Sequence, residues 1–255
     1  MSSPANYDKA TNFAYQALKM YNGSYLHINV FQIAAHYPSI KVCSYSDVAR
    51  RLCISTDDFI ENYAESEMGF IFGYKQRHII FFNDKKCEQN IRFTVAHELG
   101  HILLKHIGND YCREDKEANC FARNLLCPVP LRDELDLMSL SDFCLAFDIS
   151  KSMARVVIDR NTSDKYYISK ENYNTISNNI CTQLNNKCKE LFNEVCFSGK
   201  YQKADIWNIG SCRKGRPTKQ SIRYSDVDTD CDECHYSHCR HIYTATDCEH
   251  RNANG

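Results

Sequence analysis

The run from Ile91 to Ile107 is apolar and carries Thr94-Val95-Ala96-His97-Glu98-Leu99-Gly100-His101 at its centre. Two histidines four apart on a helix project from one face, one turn above the other, so both imidazoles can reach a single metal ion. Glu98 follows the first by one position, where its carboxylate addresses a water on the metal rather than the metal itself. Ile91, Val95, Ala96, Leu99, Ile102, Leu103 and Ile107 recur at helical spacing, with Asn90 a candidate cap and Gly108 a candidate stop. A glutamate and two histidines in so apolar a helix need partners, and a divalent cation supplies one. The chain is therefore expected to fold around a buried helix with the geometry of a zinc hydrolase.

Bulk properties set the frame. With 255 residues, 43% hydrophobic and a formal charge of -1, the chain has room for one good core plus an appendage, and its even charge argues against a dedicated polyanion binder. The start MSSPANYDKATNF lacks the apolar core of a signal peptide, and no 18 apolar residues run together, which predicts a cytoplasmic protein without membrane association. Fifteen cysteines in that setting read as reduced thiols. Seven lie singly between Cys43 and Cys144 as small core residues, whereas eight fall from Cys181 onward, which marks a second domain.

Upstream of the central helix, the pattern predicts helices over Tyr7 to Met20 and Val30 to His36, a β-compatible Ile40 to Cys43 and a helical Asp47 to Leu52. Gly69 to Tyr74 and His78 to Asn83 flank the polar turn Lys75-Gln76-Arg77 and read as a β-hairpin. Strands beside a metal helix can simply cover its apolar face, or can hold an extended peptide along an exposed edge. Downstream, Ala118, Phe121, Ala122 and Leu125 form an apolar stripe on a helix closed by Pro128. Glu117 immediately precedes that stripe and is the candidate third metal ligand, with Glu114, one turn earlier, as its competitor. His, His and Glu with an open position form one standard set for a catalytic zinc.

The segments IRFTVAHELGHILLKH and EDKEANCFARNLLCP, in that order, resemble the ImmA/IrrE family of zinc metallopeptidases, in which an FTLAHELGH motif precedes a Glu-Ala-Asn-x-Phe-Ala helix ending in Leu-Leu-x-Pro. The upstream Phe81-Phe82-Asn83 also matches, so the similarity covers roughly residues 7 to 160. The resemblance implies a regulatory protease that cleaves a helix-turn-helix repressor of phage type and so releases genes of a mobile element or stress response. By matching positions it makes His97, His101 and Glu117 the metal ligands and Glu98 the general base. Family members often carry a histidine where this chain has Lys105, so His106 is given no role and is read as part of a solvated helix end.

Residues 140 to 160 read as helix, tight turn and second helix capped by Ser150. Only Lys151 and Arg155 are basic there, with Asp142, Asp148 and Asp159 around them, which argues against reading DNA and for a structural role. From Asn161 the polar Asn-Thr-Ser-Asp-Lys run reads as a linker, followed by a helix with Ile176, Ile180, Leu184, Cys188, Leu191 and Val195 on one stripe. Cys181 and Cys188 follow that stripe as packing residues. Beyond it come a strand over 204 to 210, the basic Arg213, Lys214 and Arg216, and the knuckle Cys231-x-x-Cys234. Cys239 and Cys248 would complete a second, structural zinc site, with Cys212, His238 and His241 as alternatives.

The expectation is thus an α+β, zincin-like metallopeptidase domain over 1–163, with a small antiparallel sheet beside the metal helix, and a Cys-rich C-terminal domain over 164–255. Its function is zinc-dependent endopeptidase activity on a protein substrate. The alternative is a non-proteolytic transcriptional regulator or binding module that keeps the fold and the metal.

Overall fold

The computed structural model describes residues 4–135, 137 and 139–197. They group into two compact units, residues 4–21 with 29–126 and residues 22–28 with 127–197. The expected strand at 204 to 210, the basic patch at Arg213, Lys214 and Arg216 and the ligand set Cys231, Cys234, Cys239 and Cys248 lie outside the described residues.

In the first unit the chain runs through α1 (Tyr7–Lys19), α2 (Val30–Ala35), β1 (Ile40–Ser44), α3 (Tyr45–Leu52), α4 (Thr56–Asn62), β2 (Gly69–Tyr74), β3 (Arg77–Phe82), α5 (Glu88–Leu104) and α6 (Tyr111–Leu126). Side-chain caps fix several of these starts: Asn6 accepts from the Lys9 N–H, Ser44 from Asp47, and Ser55 and Asp58 form a reciprocal capping box. That box sets α4, whose polar Thr-Asp-Asp start hides it from a reading based on apolar periodicity.

The sheet has the order β1-β3-β2. β2 and β3 form the expected antiparallel hairpin, but β1 joins β3 in parallel, so the sheet is mixed rather than antiparallel. The intervening helices α3 and α4 supply the crossover that a parallel pair requires. Ile80 sits at its centre, opposite both Val42 and Ile71, and is fully buried.

α5 lies against this sheet and α6, with Arg92, Thr94, Val95, Ala96, Leu99, Gly100 and Leu104 all buried. It begins earlier than the candidate cap Asn90, after the extended Cys87, and ends at Lys105 rather than Gly108. Lys105 takes the left-handed conformation (φ 60°), its N–H bonding Ile102 O at 3.1 Å and the His106 N–H bonding His101 O at 3.0 Å. That pair of bonds is a Schellman closure, so Ile107, counted in the helical stripe from sequence, lies beyond the helix and is exposed.

Glycines permit the close approaches around α5. A Cβ on Gly100 would stand 3.0 to 3.3 Å from the Phe121 side chain of α6, and one on Gly69 would meet the Thr94 methyl and sit 2.7 Å from Phe81 O. A backbone oxygen within a sheet cannot step aside as a side chain can. Gly69→Ala is expected to destabilise the protein by about 1–3 kcal/mol, read as a lower urea midpoint with unchanged slope.

The second unit contains α7 (Val129–Leu135), α8 (Leu140–Phe147), α9 (Lys151–Asp159), α10 (Asn161–Tyr167) and α11 (Lys170–Phe197). Ser150 caps α9 by accepting from the Met153 N–H, and Asp148 makes the left-handed turn between α8 and α9. The run from Asn161, expected as a linker, is helical because Asp164 is a core residue. Its carboxylate accepts from Arg132 Nη1 at 3.0 Å, with side-chain exposures of 0% and 1%. A charge pair so deeply buried holds α7 and α10 together, since removing either partner would strand the other. On α11, Ile176 and Ile180 are buried as the stripe predicts, whereas Cys181 is exposed rather than packed.

Candidate metal centre

α5 presents His97 and His101 toward α6, which contributes two side chains spaced by a turn, Asp115 and Asn119. His97 Nε2 and His101 Nε2 stand 3.0 Å apart, and Asp115 Oδ1 lies 3.6 Å from the first and 3.5 Å from the second. Asp115 was not singled out from the sequence. Residues two apart on a helix differ by about 200° in direction, so only one of Asp115 and Glu117 can face His97 and His101, and it is Asp115. The available signal was its place four residues before Asn119 and three before the buried Ala118.

Glu117, expected beside the two histidines, is turned elsewhere. Its Oε1 accepts the Asn6 N–H at 2.8 Å, its Oε2 meets His106 Nε2 at 2.9 Å, and Arg113 Nε is 3.8 Å from Oε1. Glu114, the competitor, accepts from the backbone N–H groups of Gly108 at 2.9 Å and Ile107 at 3.3 Å. His106, read as part of a solvated helix end, has a side chain only 5% exposed, with Nδ1 2.9 Å from His101 Nδ1.

The hydrogen bonds fix which nitrogens are free to bind a cation. His97 Nδ1 lies 3.0 Å from Asn119 Oδ1, an acceptor, so His97 carries its proton there and its Nε2 keeps a lone pair. His101 likewise spends Nδ1 on His106 and turns Nε2 inward. Ligands at the corners of a tetrahedron about 2.0–2.1 Å from zinc are about 3.3 Å apart, which the three measured separations bracket. Two imidazole nitrogens and one carboxylate oxygen are also a donor set that zinc accepts. The residues present fit the ion. The side chains of His97, His101 and Asp115 keep 17%, 19% and 36% of their surface exposed, so a substrate can reach them.

Charge in the site is tightly coupled. Burial pushes the Asp115 carboxyl up, but without a metal the protonated forms of His101 and His97, through hydrogen bonding and charge, outweigh it and hold the group well below the usual carboxylate range. Burial acts against a charged His97, yet Asp115, Glu98 and Asn119 leave its basicity above the ordinary value, while at His101 burial prevails, aided by His97 and His106, and lowers it. Burial raises the Glu98 carboxyl, with Asp115 and Glu65 adding to the shift and His97 opposing it. A carboxylate made more basic in this way, one residue from His97, is suited to accept a proton.

Two histidines a turn apart, a facing carboxylate and a second, basic carboxylate beside them are the parts of a metallopeptidase centre. Residues 49–137 match the family model of peptidase family M78, described as the IrrE N-terminal-like domain. That stretch is about a third of the chain, and the match supports the resemblance to the ImmA/IrrE family of metallopeptidases that the two motifs carry. The family implies a metal and a protein substrate. No curated protein and no solved structure matches the chain. Among the described residues no helix is long and apolar enough to cross a membrane.

Proposed function

We propose that this protein is a zinc-dependent endopeptidase whose substrate is a helix-turn-helix repressor of phage type. The observation that carries the reading is the convergence of His97 Nε2, His101 Nε2 and Asp115 Oδ1 within 3.6 Å of one another, with Glu98 next to them in sequence. His97, His101 and Asp115 would hold the ion, which supplies Lewis acidity and an acidified water when bound. Asn119 orients His97. Glu98 takes the proton from the attacking water onto its carboxylate and passes it to the leaving amine nitrogen.

The substrate strand has a place to lie. Among the described residues β2 pairs only with β3, so its outer edge offers backbone N–H and C=O groups to an extended peptide, and α5 runs beside it. Phe72 and Tyr74 on that strand are exposed, with 52% and 65% of their surface accessible. The repressor as substrate rests on the family resemblance. A zinc-stapled, Cys-rich module is part of the same proposal, but it would begin after residue 197 rather than at 164, because residues 127–197 share one compact unit.

The test is to incubate the zinc-loaded full chain with a panel of helix-turn-helix repressors and resolve the products by mass spectrometry. Discrete fragments are expected that disappear when a chelator removes the metal and return when zinc is restored. Repressors left intact by a demonstrably zinc-loaded protein would exclude this substrate class. Retention of DNA that depends on the exposed Lys151 and Arg155 would favour the regulator reading instead.

A further inference from the structure

His106 lies outside the proposed ligand set, yet it is held on both sides. The Schellman closure at Lys105 folds the chain back so that its ring meets that of His101, with centroids 4.9 Å apart and planes at 77°. Its Nδ1 is 2.9 Å from His101 Nδ1 and its Nε2 is 2.9 Å from Glu117 Oε2. The side chains of His106 and Glu117 are 5% and 6% exposed. Glu117 is itself anchored by the Asn6 N–H, and the loop that carries His106 is pinned by Glu114, which grips the N–H groups of Ile107 and Gly108.

Proton accounting along this row has one consistent solution when His106 carries a single ring proton. An ionised Glu117 can only accept, so His106 Nε2 donates to it and His106 Nδ1 is left as an acceptor. His101 must then donate from Nδ1, which leaves its Nε2 lone pair facing His97 and Asp115. We propose that His106 is a positioning residue through which Glu117 sets the tautomer and tilt of His101, a carboxylate–His–His relay behind the metal centre. This inference rests on His97, His101 and Asp115 being the ligands. A second ion shared by His101, His106 and Glu114, whose ligand atoms lie within 4.8 Å of one another, is the competing arrangement. It is disfavoured because the Glu114 oxygens already accept two backbone N–H groups.

The experiment uses the full chain and zinc alone, with affinity read by competition against a chromophoric chelator. The relevant zinc equivalent is the one that Asp115→Ala removes. His106→Leu is expected to weaken it about 10- to 100-fold, whereas His106→Asn, whose Oδ1 stands in for the Nδ1 acceptor, should stay within about threefold of wild type. Nitrogen-15 NMR of the zinc form should show His101 protonated at Nδ1, a readout available in the wild type even if the leucine variant does not fold. Wild-type affinity in His106→Leu, or a His101 protonated at Nε2, would overturn the relay. Loss of a second zinc equivalent from both His106 variants, with the first unchanged, would replace it by the two-ion arrangement. If Asp115→Ala removes no zinc at all, the metal-centre reading fails, and the relay fails with it.

Discussion

Glu98→Gln is expected to leave zinc binding intact and to slow peptide hydrolysis by about 10²- to 10⁴-fold, the usual share of a positioned general base. The amide keeps the volume of the carboxylate and one acceptor oxygen but cannot take a proton. Because burial already disfavours the charged form, with Asp115 and Glu65 adding to the effect, the substitution removes an unfavourable charge. The variant should therefore melt no lower than wild type in its metal-free form. Fragment yield against time, measured alongside zinc content, separates the two functions. Cleavage at the wild-type rate would show that the proton goes elsewhere.

Asp115→Ala is expected to weaken zinc binding by about 10²- to 10³-fold, taking one ligand's share of the free energy of a protein zinc site. Glu117→Ala should cost less, about 10- to 100-fold, because Glu117 reaches the ion only through His106 and His101. The order matters more than either magnitude. A sequence reading that makes Glu117 the ligand predicts the opposite ranking, so chelator competition on the two variants decides between them. Asp115→Ala also removes the anion that holds up the basicity of His97, so any loss of activity should be compared at saturating zinc.

What could be read from the sequence follows from how local each feature is. His97, Glu98 and His101 share one helix, and their spacing alone aligns them, so they were legible. The third corner lies on another helix, where three acidic residues, Glu114, Asp115 and Glu117, stand within four positions. Choosing among them requires the rotation of α6 relative to α5, which depends on packing between the helices, such as the close approach of Phe121 to Gly100, that no spacing reveals. His106 was hidden for a different reason. The apolar run continues to Ile107, so periodicity extends the helix past its end, whereas Lys105 turns left-handed and swings His106 back over His101.

The fold shows the same division. The β2–β3 hairpin is a local pairing with a two-residue turn, and it was predicted. The parallel β1 pairing joins Ile40 to His78 across two helices, and a short strand carries no mark of its direction. The Asn161 to Lys165 run looks like a linker because it is polar, but the polarity of Asp164 serves the buried Arg132.

The central claim is that a metal ion is held by His97, His101 and Asp115. The most direct test is an anomalous difference map at the zinc edge from crystals of the zinc-loaded protein. The account predicts a peak about 2.0–2.2 Å from His97 Nε2, His101 Nε2 and an Asp115 carboxylate oxygen, with His106 and Glu117 behind His101 and not bonded to the ion. A peak ligated by Glu117 in place of Asp115, or no peak between the two histidines, would contradict it.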